Sequence, residues 1–370
     1  MSPSAEPSTA RRDTVREAKS APASGTFRRL NPLDTPGWDR RVSSFGEASV
    51  FHSAAWAGVL RDTYGHTPQY FCIENGGKLS AALPMMEVNS PWTGRRGVSL
   101  PFTDECALLS DGSVAPDDLV RAAMDFGRQR KWKYLECRGI KDSTAMTGAR
   151  TSLSFFGHAL RLVGGEDAIF SGLESSVRRG IRKAEKSGVK VEVCQTSESV
   201  RVFYSLHCKT RKKHGLPPQP FSFFDNIFRR VVEPGMGCTV VASFQGRPIA
   251  ASMFLHFRPR AIYKFGASDL SFQHLRPNNL VMWEAIRWYA GQGFDSLDFG
   301  RSSMANEGLR RFKLGFGTTE RTIAYVKYDF GSGSFVTDRD RVFGWFNGVF
   351  QLMPMPLSRI LGGLLYRHQS

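Results

Sequence analysis

The chain has 370 residues, an apolar share of 41% and 28 phenylalanines, enough for two cores of ordinary domain size. Its 50 Lys and Arg against 34 Asp and Glu leave a net charge of +16, which points to an anionic partner: nucleic acid, anionic lipid or a phosphorylated substrate. No apolar run reaches the roughly 18 residues that a bilayer span requires. The six cysteines form no C-x-x-C pair, so neither a zinc site nor a disulfide framework is indicated.

Residues 1–28 lack the apolar core of a signal peptide, and their Ser, Pro, Ala and Arg content reads as a disordered leader. Scattered cysteines suit a reducing compartment, so the expected location is the cytoplasm, with the inner membrane face as a peripheral extension. A first α/β unit is expected over 29–165. Thr35 to Gly65 reads as helical, with Trp38, Val42, Phe45, Trp56, Val59 and Leu60 as its apolar stripe. Gln69 to Glu74 and Lys78 to Met86 read as a hairpin about the turn Asn75-Gly76-Gly77. Ser99 to Phe102 ends another strand, Asp117 to Lys131 is a helix, and Tyr134 to Arg138 is the strand after it.

A second unit is expected over 166–330 and opens on a basic helix. Between Ser175 and Val191 six side chains are cationic and one is anionic, over a thin stripe of Val177, Ile181 and Ala184. Arg178, Arg182, Lys183 and Lys186 read either as a solvated face or as a docking strip for phosphate groups. The order of the first unit then repeats: helix Glu198 to Gly215, strand Gly237 to Ala242, turn Gln245-Gly246-Arg247, strand Pro248 to Leu255, strand Ala261 to Gly266, helix Asn278 to Gln292, strand Ser296 to Phe299. The letters repeat as well, since Cys72 to Ala82 is echoed by Val241 to Ala251, 169 positions later. Two copies of one α/β fold are expected, with a crevice at or near their interface. The tail 331–370 crowds Phe335, Val342, Phe343, Trp345, Phe346 and later aliphatic residues among Arg341, Arg359 and Arg367. Residues 335–366 read either as packing on the core or as an amphipathic membrane contact.

The segment LDFGRSSMANEGLRRFKLGFG, Leu297 to Gly317, carries the densest chemistry. A short strand runs into the polar turn Gly300-Arg301-Ser302-Ser303, and Lys313 follows between Phe312 and Phe316. Polar groups at the carboxyl end of a strand line crevices in α/β sheets. A lysine among aromatic rings carries positive charge in a partly dry place, which suits a carbonyl oxygen gaining negative charge. The alternatives are a phosphate-binding role and a surface lysine paired with Asp298 or Glu307. Asp298 and Arg301 would orient substrate or Lys313, or Asp298 would cap the turn. Asp104 and Glu105 occupy the matching place in the first unit and would bind or deprotonate an amine, or serve an ordinary turn. His66 reads as a loop anchor and His214 as solvated, and no triad spacing indicates a covalent intermediate.

Taken together, IRKAEKSGVKVE, LPFTD at Leu100 to Asp104, Tyr64-Gly65-His66, LVMWEAIRWYAGQGFDSLDFGRSS and FKLGFG at Phe312 to Gly317 resemble the FemAB-like branch of the GNAT acyltransferase superfamily. Within that branch lie proteins associated with polysaccharide and exopolysaccharide gene sets, and the resemblance covers residues 30 to 330. It implies two tandem GNAT-like domains and transfer of an acyl or aminoacyl group to an amine, here on a cell-envelope or exopolysaccharide precursor. Lys313 matches the lysine that relatives place in the acyl-transfer site, and Ser302, Phe312 and Phe316 fall beside it as substrate-binding residues. The donor would be a co-substrate, acyl-CoA, an acyl carrier or aminoacyl-tRNA, with no tightly bound cofactor and no metal. Two features depart from relatives. The basic run is followed by a strand, Val189 to Val193, where some tRNA-using relatives carry a helical arm. The glycine-rich turn that cradles coenzyme A in ordinary GNAT enzymes has no counterpart. The rival expectation is a non-catalytic basic module that binds nucleic acid, anionic polymer or a membrane surface through Arg178 to Lys190.

Overall fold

The computed structural model describes residues 25–115, 117–139, 148–257, 259–338 and 347–369. The leader up to residue 24 and the tail residues Arg341, Val342, Phe343, Trp345 and Phe346 lie outside the described residues. In chain order the first half runs β1 (Thr26–Leu30), α1 (Trp38–Val42), α2 (Ala54–Tyr64), β2 (Thr67–Pro68), β3 (Tyr70–Asn75), β4 (Lys78–Leu83), β5 (Met86–Ser90), β6 (Gly94–Val98), β7 (Leu109–Ser110), α3 (Asp117–Gln129) and β8 (Tyr134–Arg138). The second half runs β9 (Thr151–Arg161), α4 (Gly165–Gly172), α5 (Ser175–Lys186), β10 (Lys190–Cys194), α6 (Ser197–Lys213), α7 (Phe221–Ile227), β11 (Gly237–Phe244), β12 (Arg247–Phe257), β13 (Arg260–Ser268), α8 (Pro277–Gly291), β14 (Ser296–Ser303), α9 (Glu307–Leu314), β15 (Thr319–Asp329) and β16 (Ser334–Phe335). Two helices close the chain, α10 (Asn347–Leu352) and α11 (Met355–Tyr366).

Local chemistry explains most boundaries. The hairpin turn at Gly76 and Gly77 takes φ of 55° and 79°, and its repeat at Gln245 and Gly246 takes 51° and 76°, as tight antiparallel turns require. The helix expected over Thr35 to Gly65 is interrupted. Ser53 accepts the Trp56 amide at 3.2 Å and so starts α2 afresh, and Trp38 Nε1 donates to His52 O at 2.8 Å across the break. The leader expected up to residue 28 ends sooner, because Thr26–Leu30 is a strand paired antiparallel with β3.

Strands β1, β3, β4 and β7 form a four-stranded sheet. The larger sheet passes through both halves in the order β10-β11-β12-β13-β14-β9-β15-β8-β6-β5-β2, with β16 on β15. Strand β9 lies between β14 and β15, and β15 continues to β8 of the first half. Each half holds one parallel pair crossed by a helix: β6 with β8 over α3, and β13 with β14 over α8. Both pairs are brief. Pairing of β13 with β14 stops at Ile262 and Asp298, although the strands continue to Ser268 and Ser303, so the two part company there. An aromatic cluster of Phe203, Phe223 and Phe224 with Trp56 and Tyr64 joins the halves in one core. A second core gathers on α8 around Trp283, Ile286, Tyr289, Leu297, Phe299 and Phe316. All six cysteines are free; five are buried and Cys194 is half-buried.

Candidate active site

The segment after β6 is bent hard. Leu100 and Phe102 both sit at positive φ, 55° and 61°, where residues with a Cβ are rare. Surroundings hold them there. Arg138 Nη1 donates to Leu100 O and Thr103 O at 3.3 Å each, and the Arg138 amide donates to Ser99 Oγ at 2.7 Å. The Phe102 ring packs on Tyr64 and Tyr366 with centroids 4.9 and 5.8 Å apart. The bend delivers Asp104 to the parting of β13 and β14. There Lys264 Nζ donates to Asp104 Oδ2 at 3.1 Å, and Arg301 Nε lies 3.9 Å from Oδ1. Burial pushes the Asp104 carboxyl up, but Lys264, Arg301 and Lys313 outweigh it and hold the group below the usual carboxylate range. Lys264 sits between the rings of Phe51 and Phe265, 5.2 and 5.3 Å from their centroids, and burial lowers its ammonium against the pull of Asp104.

Asp298 behaves oppositely. Its Oδ1 accepts the Gly300 amide at 2.6 Å and its Oδ2 accepts Arg321 Nη2 at 3.0 Å. Burial dominates and raises its pKa, with Arg321 opposing. The same Arg321 nitrogen lies 2.6 Å from Glu105 Oε2, which ties the first-half carboxylate to the second-half one. Gly300 is required at φ 69°, where a Cβ would stand 3.2 Å from Tyr263 O and 3.3 Å from Asp104 Oδ2.

Lys313 is 2% exposed, so it is not a surface lysine. Its Nζ donates to Gly300 O at 2.8 Å and to Arg301 O at 2.9 Å, pinning the turn that follows Asp298. Burial brings its pKa down to about 8, opposed by Asp104 and Asp298. Helix α9 presents it inward, with Asn306 Oδ1 accepting the Leu309 amide at 3.1 Å at the helix start. The Arg301 guanidinium donates to Tyr325 Oη at 2.6 Å and lies 4.3 Å from the centre of the Phe155 ring. Tyr325 Oη in turn donates to Asp104 O at 2.6 Å.

Beside this cluster is a cavity of about 300 Å³, walled by Asp104, Glu105, Asp298 and Arg321, with Glu47, Phe51, His52, Arg260, Ile262 and Ile323 completing much of the wall. It draws on both halves. Lys264, Arg301, Lys313 and Arg321 set four cations against the carboxylates of Asp104, Glu105 and Asp298. The two histidines at the wall are occupied elsewhere. His52 bonds Ser49 and the Ala107 carbonyl, and His256 bonds Tyr289 Oη and the Gly235 carbonyl.

Residues 172–320 match the family model of the acetyltransferase (GNAT) domain. Over this stretch the chain is similar to a GNAT domain. In fold the chain is similar to FemX, with a TM-score of 0.65 at 14% identity over 81% of this chain and 96% of that one. It is also similar to L-PGS from Bacillus licheniformis, with a TM-score of 0.54 at 13% identity over 90% and 97% of the two chains. A tandem GNAT protein from the clavulanic acid biosynthesis pathway gives 0.55 at 11% identity over 82% and 98%. No curated protein matches the sequence. These likenesses run through both halves, so the expected α/β architecture of two tandem GNAT-like domains holds.

Against the GNAT frame the sequence-derived residues sort clearly. Asp104, Glu105, Asp298, Arg301 and Lys313 come together, though neither Arg301 nor Lys313, which stands behind the turn, lines the cavity. Ser302 is 1% exposed, and its Oγ finds no hydrogen-bond partner among the described residues. Phe316 is fully buried and Phe312 half-buried, their rings 5.2 Å apart, so they pack in the second core and do not line the cavity. Arg178 is half-buried and spends its Nη1 on the carbonyls of Ser171 and Leu173, at 2.5 and 2.8 Å, leaving the strip. Arg182 lies over Phe170 at 5.6 Å, and Lys183 and Lys186 are exposed. The strip starts beside the Lys313 helix, since the Glu174 amide donates to Gly315 O at 2.9 Å. His66 is buried on Tyr64, and burial drops it to about 3, so it stays neutral. Sequence reading missed Lys264, Arg321 and Tyr325. Lys264 did carry a signal: it is an ionisable residue inside the apolar strand run Ala-Ile-Tyr-Lys-Phe.

Proposed function

We propose that this chain is an N-acyltransferase that moves an acyl or aminoacyl group from an activated donor to an amine of a cell-envelope or exopolysaccharide precursor. The observation that carries the reading is the carboxylate-walled cavity at the parting of β13 and β14, backed by buried cations. An incoming ammonium is drawn by Asp104, whose carboxyl is held below the usual range, and by Glu105 on the same wall. Asp298, whose carboxyl is raised by burial, is suited to take one proton from the nitrogen. The nitrogen then bonds to the carbonyl carbon of an ester or thioester, the bond to the donor's oxygen or sulfur breaks, and the second proton of the nitrogen leaves on that oxygen or sulfur. Negative charge on the carbonyl oxygen is met by Arg321 on the cavity wall and by the buried cations behind it. Attack is direct, with proximity supplying much of the rate.

The GNAT match over 172–320 and the FemX-like fold over 81% of the chain support this class of reaction. Acyl-CoA, acyl-carrier and aminoacyl-tRNA donors all fit it, with the exposed cations Arg182, Lys183 and Lys186 on α5 placed to meet the donor's phosphates. A purely binding module would use α5 alone and would leave the cavity carboxylates idle. The test is to offer each donor class with amine-bearing precursors and to look by mass spectrometry for an amine that gains the acyl mass. Asp298→Asn should keep the folded circular-dichroism spectrum and lose at least about a hundredfold in turnover. Acyl transfer from no donor, or full turnover in Asp298→Asn, overturns the reading.

A further inference from the structure

The last two helices are fastened by one face only. Ser358, Gly362 and Tyr366 of α11 are buried, and Gly362 stands against the Pro218 carbonyl so closely that no Cβ would fit. Tyr366 Oη donates to Pro217 O at 3.2 Å and accepts from Arg211. The opposite face is bare. Val349, Leu352, Leu357, Ile360 and Leu364 are 52%, 87%, 47%, 62% and 50% exposed, and they make up half of the ten large hydrophobic residues exposed among the described residues. From Asn347 to Tyr366 the only charged residue is Arg359, and no carboxylate interrupts the face. Cations surround it: Lys213 and Arg367 are exposed, Arg359 lies over Tyr204, and Arg201 lies over Phe221. Arg201 and Arg359 also line an open groove of about 500 Å³ with Tyr204, Phe221 and Ile360.

We propose that this face rests on an anionic lipid bilayer, with α10 and α11 lying in the interface plane. The pattern is that of an interfacial helix: aliphatic side chains on one side, arginines at the edge for phosphate groups, and no acidic residue to repel them. The patch is aliphatic and nearly free of hydrogen-bonding side chains, whereas the core of a protein interface favours aromatic residues with a polar rim. Helix α11 has 12 residues, about 18 Å at 1.5 Å per residue, too short to cross a hydrocarbon core of about 30 Å. The protein therefore lies on the surface. Docking there is independent of the acyl-transfer reading, which concerns a different part of the molecule.

The test is co-flotation of the full chain with vesicles of phosphatidylglycerol and phosphatidylcholine, and with vesicles of phosphatidylcholine alone. The chain should float with the anionic vesicles, weakly with the neutral ones, and less as salt rises. A variant carrying Leu357→Ser, Ile360→Ser and Leu364→Ser replaces exposed side chains and should keep the wild-type melting curve. Its partition into anionic vesicles should fall on the order of a hundredfold. Arg359→Glu should weaken binding to anionic vesicles and leave neutral ones unaffected. If the full chain fails to float, or the triple variant floats as well as wild type, the proposal is overturned. A triple variant that changes oligomeric state but not vesicle binding would assign the face to a second copy, which also overturns it.

Discussion

Lys313 shows how a residue singled out for one reason is used for another. Its position among phenylalanines was legible, whereas its burial stood against the alternative of a surface lysine until the fold placed it. The atoms it touches were not legible, because nothing in the spelling of a helix shows that its ammonium meets the carbonyls of Gly300 and Arg301. The consequence is measurable through protons. The folded protein holds the Lys313 proton only to about pH 8, whereas an ordinary lysine, as in the unfolded chain, holds it to 10.5. Between those values unfolding takes up a proton, so this residue makes stability rise with pH across the window and lose that gain as pH falls to about 8. Unfolding free energies from denaturant titrations at pH 7.5 and 10.5 should therefore differ more in wild type than in Lys313→Met, by up to about 3 kcal/mol. Equal pH slopes in the two proteins would mean that the ammonium is not buried as described. Asp104 and Asp298 are also instructive at this scale. Both were legible as polar strand-end residues, but which is held ionised and which is raised depends on Lys264 of β13 beside Asp104 and on the burial of Asp298, which outweighs Arg321.

At the scale of elements, turn chemistry was the reliable signal. Asn75-Gly76-Gly77 and Gln245-Gly246 mark real hairpins because few residues take positive φ, and β8 runs over Tyr134–Arg138 as read. The helix over Thr35 to Gly65 was overextended, although Ser49, Ser53 and Gly46 carried the break in plain view. Strands β9 and β15 went unread. Thr151–Arg161 mixes Gly157 and His158 with apolar residues, and Thr319–Asp329 carries four charged residues toward its two ends, so neither gives clean alternation. Their partners lie far away in sequence, and tertiary pairing made them strands. The end of β14 is the element most sensitive to change. Gly300→Ala would force a Cβ toward Tyr263 O and Asp104 at positive φ, costing about 1–3 kcal/mol. It should also displace the Gly300 amide from Asp298, so turnover should fall more than the shift in melting temperature explains. An alanine variant with wild-type stability would contradict the geometry of the turn.

At the scale of the molecule, the internal repeat correctly announced two similar units, and the fold comparisons agree with it. Their sharing of one sheet was hidden, because strand order across 370 residues is not written in local pattern. Residue 165, expected to separate the units, falls after β9, whose neighbours β14 and β15 both lie beyond it. A fragment of residues 166–330 would thus leave those edges bare of backbone partners. It should be insoluble or unfolded, while the full chain melts as one cooperative unit. A soluble fragment with native-like amide protection would refute this dependence.

The strand crossing from one lobe into the other's ladder also restricts how substrates arrive. A jaw-like hinge between lobes would have to tear the hydrogen bonds between β15 and β8, so the hollow at Asp298 cannot gape wide to admit a bulky guest. Reactants must instead thread their reactive ends inward from the rim while their bodies stay outside. Size selection should then fall on the tip that enters, leaving the remainder of a long glycan or nucleotide carrier largely unconstrained.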